Sequence, residues 1–259
     1  MSKSTLWSSG RYESVAERIA GIADQTVAAA DRRHALAAAE VVDLACGTGS
    51  AALAAASRGA HVTGVDVTPE LIAIGEQKAT AAGQSVTWVT ADAADTGLPD
   101  GVFDVVVSNM GTIFVEPDRQ VVELSRLLRP AGVLAYSSWV RSTSNPLFDP
   151  IVAVLGAPPS RGFTPDQWGD PAIIASRLAA DFADVTVEEG MLTWSFESLA
   201  ATLRFLTDES PMHVDTFARV TGHQRDRLVT AFEAALRPHA DGDGVHFDSP
   251  YVVVSALRR

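Results

Sequence analysis

VVDLACGTGS, residues Val41 to Ser50, joins a short apolar run to a glycine turn and sets a carboxylate, Asp43, just ahead of the turn. Glycines at 47 and 49 let the backbone bend sharply and let a ligand approach with no Cβ in the way, as a nucleotide-type ligand requires at the end of a parallel strand. Ala52 completes a G-x-G-x-x-G/A pattern, and Asp66 follows Gly47 by 19 residues, close to the place of a ribose-binding acid in a dinucleotide site. Asp43 divides the candidates. A pyrophosphate on the turn would lie near its negative charge, whereas a ligand carrying an ammonium and a sulfonium would be drawn to it. A turn or helix-cap role is the structural alternative for Asp43.

Outward from this stretch the chain alternates. Strand-like Val41 to Ala45, His61 to Asp66 and Val86 to Asp92 are separated by helical Ser50 to Arg58 and Pro69 to Ala82, the second of these opened by Pro69 and closed by Gly83. Phe103 to Met110 and Gly132 to Trp139 read as strands buried on both faces, with a helix over Asp118 to Leu128 between them and Pro130 as its stop. This is βαβ repetition, which predicts an α/β fold around a parallel sheet. Ser14 to Ala39 fits one or two amphipathic helices. Beyond Trp139 a Pro- and Gly-containing stretch, Asn145 to Pro171, leads to a short helix at Ala172 to Ala180 and a strand at Val185 to Trp194. Ser195 to Pro238 is largely helical with a break near Glu209 to Met212, and Tyr251 to Leu257 supplies a seventh strand after the turn-rich Asp241 to Gly244. The helical excursion is a candidate lid over a substrate cavity, or structural support. The alanine clusters at 28–30, 37–39 and 54–56 favour helix and read as filler.

With 259 residues, 47% of them hydrophobic, the chain can bury a substantial core. A net charge of −12 disfavours DNA, RNA and anionic membranes as partners and favours a small-molecule substrate. The one cysteine, Cys46, cannot form an internal disulfide, no Cys/His spacing suggests a metal, and Cys46 reads as a small buried residue. No window reaches the roughly 18 apolar residues of a membrane span and the N-terminus lacks a secretory core, so the expected location is cytoplasmic.

Four segments together are more specific than the glycine turn: VVDLACGTG, VTGVDVTPEL, TADAADTGLPDGVFDVVVSN and LLRPAGVLAYSSW. In order and spacing, over about residues 40 to 140, they resemble the motifs of class I S-adenosylmethionine-dependent methyltransferases. The resemblance implies a Rossmann-like seven-stranded mixed sheet of order 3-2-1-4-5-7-6, with strand 7 antiparallel, helices on both faces and a helical lid. It implies one domain over 1–259, with a helical cap at 1–40, a cofactor core at 41–140 and a substrate-side region at 141–259 that holds the insertion at about 195–238. S-adenosyl-L-methionine is the implied cofactor. By position, Asp43 would orient its amino-acid end, and Ala45, Gly47 and Gly49 would bring backbone groups to its carboxypropyl part and ribose. Asp66 would accept from both ribose hydroxyls, since a carboxylate has two oxygens for two donors. Val67 and Leu71 would pack near the adenine, Asp92 would accept from its amine, and the Ala93 amide would meet a ring nitrogen. Asn109 and Met110 would stand near the methionine ammonium, and Tyr12 and Arg11 are candidate partners for the cofactor's carboxylate.

Methyl transfer is an in-line attack on a carbon already activated by the sulfonium, so a protein base is needed only where the acceptor must lose a proton. His213, beside the break in the late helices, is the candidate base; a packing role is the alternative. Trp7, Trp139, Trp168, Phe114, Phe148, Phe163 and Met212 are candidates to line an apolar acceptor cavity. The chain has Asn109-Met110-Gly111-Thr112 where many methyltransferases of planar amide or base nitrogens have an Asn-Pro-Pro-Tyr type sequence, which disfavours such substrates. The expected reaction is methylation of a small molecule at oxygen. Carbon methylation of a quinone-like or polyketide-like ring is the runner-up, and a nicotinamide-dependent oxidoreductase and a non-catalytic cofactor-binding module are the rivals of other classes.

Overall fold

Four consecutive buried residues in β1 (Glu40–Leu44) and four in β4 (Phe103–Asn109) mark strands covered on both faces. The computed structural model describes residues 5–159 and 162–259. β1 pairs in parallel with β2 (His61–Asp66) on one side and with β4 on the other. β2 carries β3 (Val86–Thr90) and β4 carries β5 (Leu128–Trp139), both again parallel. β6 (Phe182–Phe196) and β8 (Gly244–Arg258) complete the order β3-β2-β1-β4-β5-β8-β6, with β8 antiparallel to β5 from Val133↔Leu257 to Trp139↔Tyr251. This is the expected order. Its last strand is the eighth because the two-residue β7 (Ala240–Asp241) folds onto the start of β8 across Gly242 and Asp243. The order reverses at β1 and β4, whose carboxyl ends therefore frame a crevice.

The chain divides into two compact units, one made of Met1–Arg18, Ser142–Gly162 and Met191–Pro250, the other of Ile19–Arg141, Phe163–Gly190 and Tyr251–Arg259. The second unit holds β1 to β5. α1 (Glu13–Asp31) and α2 (Ser50–Ala56) put Val27, Ala30, Ala51, Ala52 and Ala55 into one core with Val41, Val105, Val107 and Val133. The alanines expected as filler are thus what lets these helices lie close on the sheet. α3 (Pro69–Ala81) and α4 (Pro117–Leu127) complete the crossovers, α4 being capped by Glu116, which accepts from Asp118 N–H and Arg119 N–H.

Several boundaries differ from expectation for identifiable reasons. α4 ends at Leu127 and β5 begins at once, so Pro130 sits inside a strand and does not stop the helix. The pairing jumps from Phe103↔Leu128 to Val105↔Val133, and the intervening bulge, with Ala131 at φ 62°, has no ladder hydrogen bond for proline to break. The Pro- and Gly-containing stretch contains α5 (Asp149–Leu155) and a 3₁₀ turn at Pro165–Gly169, followed by α6 (Pro171–Leu178) with Asp170 as its cap. Residues 160–161 of that stretch and 1–4 of the N-terminal cap lie outside the described residues. The first unit carries α7 (Leu199–Arg204), a π-helical turn at Phe205–Glu209, α8 (Pro211–Arg219) and α9 (Gly222–Leu236). The expected break falls at Ser210, and a second falls at Val220 and Thr221, where a Thr221/Gln224 capping box starts α9. Among the described residues no helix is long and apolar enough to cross a membrane.

Trp88 on β3 lies across three glycines of the second unit. A Cβ on Gly49, Gly64 or Gly75 would stand 2.5, 2.7 or 2.7 Å from its ring. Gly49, at φ 84°, is therefore held to glycine by its backbone and by the indole together. Gly49→Ala is expected to lower stability by about 1 to 3 kcal/mol, and Trp88→Leu in the same chain to restore part of it. Urea unfolding of the two variants checks this; an unchanged midpoint for Gly49→Ala contradicts it.

Candidate cofactor site

The end of β1 turns through three residues in the left-handed region, Ala45 at φ 50°, Gly47 at φ 57° and Gly49 at φ 84°, before α2 starts. Gly49, the residue before α2, has no side chain to cap the helix. Asp43 does so from the strand: its Oδ2 accepts from Ala52 N–H at 2.8 Å. The cap reading of Asp43 is thus correct for one oxygen. The other, Oδ1, is buried and has no protein partner. Across the turn Asp66 Oδ2 accepts from Gly47 N–H and Oδ1 from Thr68 N–H, each at 2.8 Å, so this acid ties the end of β2 to the glycine turn.

On the other side of β1, Ser108 Oγ donates to the Leu44 carbonyl at 2.7 Å and accepts from Thr112 N–H at 3.1 Å. Ser137 Oγ accepts from Met110 N–H at 3.0 Å and donates to Asn109 Oδ1 at 2.8 Å. Met110 is buried at φ 56°, and a Cβ on Gly111 would stand 2.5 Å from the Ala45 carbonyl. These contacts draw the exits of β1, β4 and β5 together. Asp92 Oδ1 accepts from Ala94 N–H at 2.9 Å, and its Oδ2 lies 3.6 Å from Arg119. Leu71 and Ala93 are buried, and Val67 is half exposed. Asp43, Ala45, Gly47, Gly49, Asp66, Val67, Leu71, Asp92, Ala93, Asn109 and Met110 all belong to the second unit, along the carboxyl ends of β1 to β4.

Residues 42–136 match the family described as Methyltransferase domain. A protein of Mycobacterium tuberculosis with no assigned function is 31% identical, over 98% of this chain and 93% of its own length. The chain belongs to the class I S-adenosylmethionine-dependent methyltransferases. The demethylmenaquinone methyltransferase of Thermus thermophilus is 41% identical over 97 residues, which are 36% of this chain and 44% of that protein. The structure of geranyl diphosphate C-methyltransferase from Streptomyces coelicolor, solved with Mg2+, geranyl diphosphate and S-adenosyl-L-homocysteine, superimposes with a TM-score of 0.52 at 20% identity, over 91% of this chain and 79% of that one.

The cofactor of this methyltransferase is S-adenosylmethionine, and the chemistry of the turn fits it. A buried acceptor with a free oxygen suits an ammonium group. The standing charge expected at Asp43 needs revision. Burial pushes its carboxyl up to about 8 against the pull of the Ala52 amide, and the neighbouring Asp66 adds to the rise. Asp43 is therefore protonated at neutral pH until a cation joins it. Burial likewise raises Asp66, against the amides of Gly47 and Thr68.

The remaining expected residues divide between the two units. Tyr12 is edge-on to Trp7 at 6.5 Å, and Arg11 donates to Ser14 Oγ at 2.7 Å and pairs with Glu209 at 3.4 Å. His213 is buried, with Nδ1 2.7 Å from Ser210 Oγ and Nε2 2.7 Å from the Leu147 carbonyl. A carbonyl only accepts, so the ring proton is on Nε2 and the Nδ1 lone pair receives the Ser210 hydroxyl. Burial lowers the ring to about 4, against the Leu147 carbonyl. A general base at His213 does not sit with this geometry, because neither nitrogen has a free lone pair. Trp168 is fully buried, edge-on to Tyr136 at 5.4 Å with the Arg177 guanidinium over it at 4.8 Å, and is core, not lining. Trp139, Phe114 and Phe163 in the second unit and Trp7 and Met212 in the first are half-buried, and Phe148 is exposed.

Two consequences follow from Asp43. Binding of S-adenosylhomocysteine near pH 7 is expected to release about one proton, read by calorimetry in buffers of different ionisation enthalpy, and Asp43→Asn to abolish the release. The folded value of about 8 stands above the ordinary 3.8, so the stability this group contributes is full below 3.8 and is lost as pH rises through 8. The ligand-free melting temperature should fall from pH 5 to pH 8, less steeply in Asp43→Asn; equal slopes contradict the assignment.

Proposed function

We propose that this chain, as one methyltransferase domain, transfers a methyl group to a small, largely apolar acceptor, at a carbon of an electron-rich ring. Bound S-adenosylmethionine supplies the methyl group already activated by its sulfonium, which leaves alignment and exclusion of water to the protein. In this reading Asp43 Oδ1 takes the ammonium, Asp66 uses its remaining lone pairs for the ribose hydroxyls, and Asp92 and the Ala93 amide read the adenine between Val67 and Leu71. Ala45, Gly47 and Gly49 offer backbone to the chain between ribose and amino acid, and Asn109 and Met110 border its ammonium.

The observation that carries the carbon reading is the locked, weakly basic ring of His213. A neutral alcohol must shed a proton as it attacks, whereas a ring carbon activated by an oxygen substituent takes the methyl group as the S–CH3 bond breaks and loses its own ring proton to water afterwards. The name of the Thermus relative supports the same acceptor chemistry, and the net charge of −12 supports a partner that is not polyanionic. Oxygen methylation, expected from the sequence, is the second reading and fits a phenol that ionises unaided.

Incubation with S-adenosylmethionine and a panel of quinols, phenols, alcohols and amines tests this, with the new methyl located by NMR. A ring C–CH3 product is expected; transfer only to amines or aliphatic alcohols overturns the reading. Asp66→Ala should stay folded and lose cofactor affinity at least tenfold, each ribose bond to an ionised acceptor being worth about 1.5 to 3 kcal/mol. His213→Ala should lower the melting temperature and leave the shape of the pH–rate profile unchanged; disappearance of an ionisation from that profile would restore His213 as a base.

A further inference from the structure

One side of α4 grips the loop between β3 and β4, the loop that carries Asp92 and Ala93. Gln120, Glu123 and Arg126 recur on that side at helical spacing. Gln120 Nε2 donates to the Ala93 carbonyl at 3.3 Å. Glu123 Oε1 accepts from Thr96 N–H at 2.9 Å and from the Thr96 hydroxyl at 2.6 Å. Arg126 donates to the same carboxylate through Nε at 2.8 Å and Nη2 at 2.7 Å, and its Nη1 donates to the Leu98 carbonyl at 2.6 Å and to Asp100. Arg119 faces Asp92, and Gly101 N–H donates to the Arg126 carbonyl at 2.8 Å, so the loop is fastened to the helix from end to end.

This clamp is not what holds α4 in place. Val121, Leu124 and Leu127 are the buried apolar residues of the helix, and an ion pair with only 6% of the acid's side chain exposed is a costly substitute for such packing. Burial acts to raise Glu123, yet the bonds from Arg126 and Thr96 outweigh it and hold the carboxyl at about 2, so it is charged throughout the working range. What a charged, doubly bonded acid supplies here is a fixed loop conformation.

The geometry points to Glu123 as a positioning residue for adenine recognition: through Thr96 and Arg126 it sets the loop so that Asp92 and the Ala93 amide meet the edge of the base. This rests on the cofactor contacts proposed above. Glu123 touches no cofactor; it acts through the loop. The prediction is therefore specific to the base and separable from general loss of binding.

Dissociation constants for S-adenosylhomocysteine and for S-inosylhomocysteine, in which a ring carbonyl replaces the adenine amine, test it by calorimetry on the intact chain. The wild type is expected to prefer the adenine ligand by about tenfold or more, the scale of one hydrogen bond. Glu123→Ala should shrink that preference to about threefold or less, and Glu123→Gln, which keeps an acceptor for Thr96, should retain most of it. Thr96→Val, which removes only the loop's hydroxyl, carries the test if Glu123→Ala fails to fold; a reduced preference supports the clamp. An undiminished preference in folded Glu123→Ala, or in Thr96→Val where that variant alone is available, overturns the positioning role and leaves the cofactor assignment standing. A wild type that binds neither ligand, or does not distinguish them, overturns the adenine contacts themselves.

Discussion

The bond from Ala52 N–H to Asp43 Oδ2 is the constraint on which the rest of the site depends. A tight turn into α2 requires glycine before the helix, and glycine cannot cap it; the missing acceptor comes from the strand. Taking that bond buries Asp43 and fixes its carboxylate with one oxygen used and one left over. In the function proposed above, the residue is structural and ligand-directed at once. Its preference for a cation follows from proton exchange more than from a standing charge: a buried carboxyl that is neutral alone becomes an anion when an ammonium group takes the proton's place.

Around this point the two sides of the crevice are built by different means. Toward β2 and β3 the work is done by Asp66, which ties Gly47 and Thr68 together, and by Trp88, which fills the space left by Gly49, Gly64 and Gly75. Toward β4 and β5 two buried serines, Ser108 and Ser137, bind the strand exits and hold Met110 and Asn109 in place. The loop that carries Asp92 and Ala93 is set from further away by α4. Apart from the Trp88 packing, these devices spend polar groups in the interior on hydrogen bonds between elements, as a site that must stay in register while ligands exchange requires.

The sheet was legible because its central strands β1, β4 and β5 are apolar on both faces and its acids fall at strand ends; β2 begins and ends where the alternation predicts, at His61 and Asp66. Pro130 misled because a bulge in β5 accepts a proline that a regular ladder would refuse. α5 escaped notice because seven residues between prolines and glycines give too few turns for a helical period to emerge. Asp43 was readable as an acid at the turn or, alternatively, as a cap, but not as both at once, since the cap bond runs from strand to helix and has no sequence spacing of its own. Ser108, Ser137, Gln120, Glu123 and Arg126 were missed as site-builders, although a serine inside the run VVVSN and an acid three residues before an arginine on an amphipathic helix were signals that could have been used. His213 read as a base because it stands at a helix break; that break is what its hydrogen bonds to Ser210 and Leu147 hold together.

The most direct test of the account is a crystal structure of the chain with S-adenosylhomocysteine. It should place the amino group about 3 Å from Asp43 Oδ1, or one water away, while Oδ2 keeps its bond to Ala52 N–H. A ligand whose amino group lies elsewhere, or an Asp43 that abandons Ala52 to reach it, would contradict the double role given to this carboxylate.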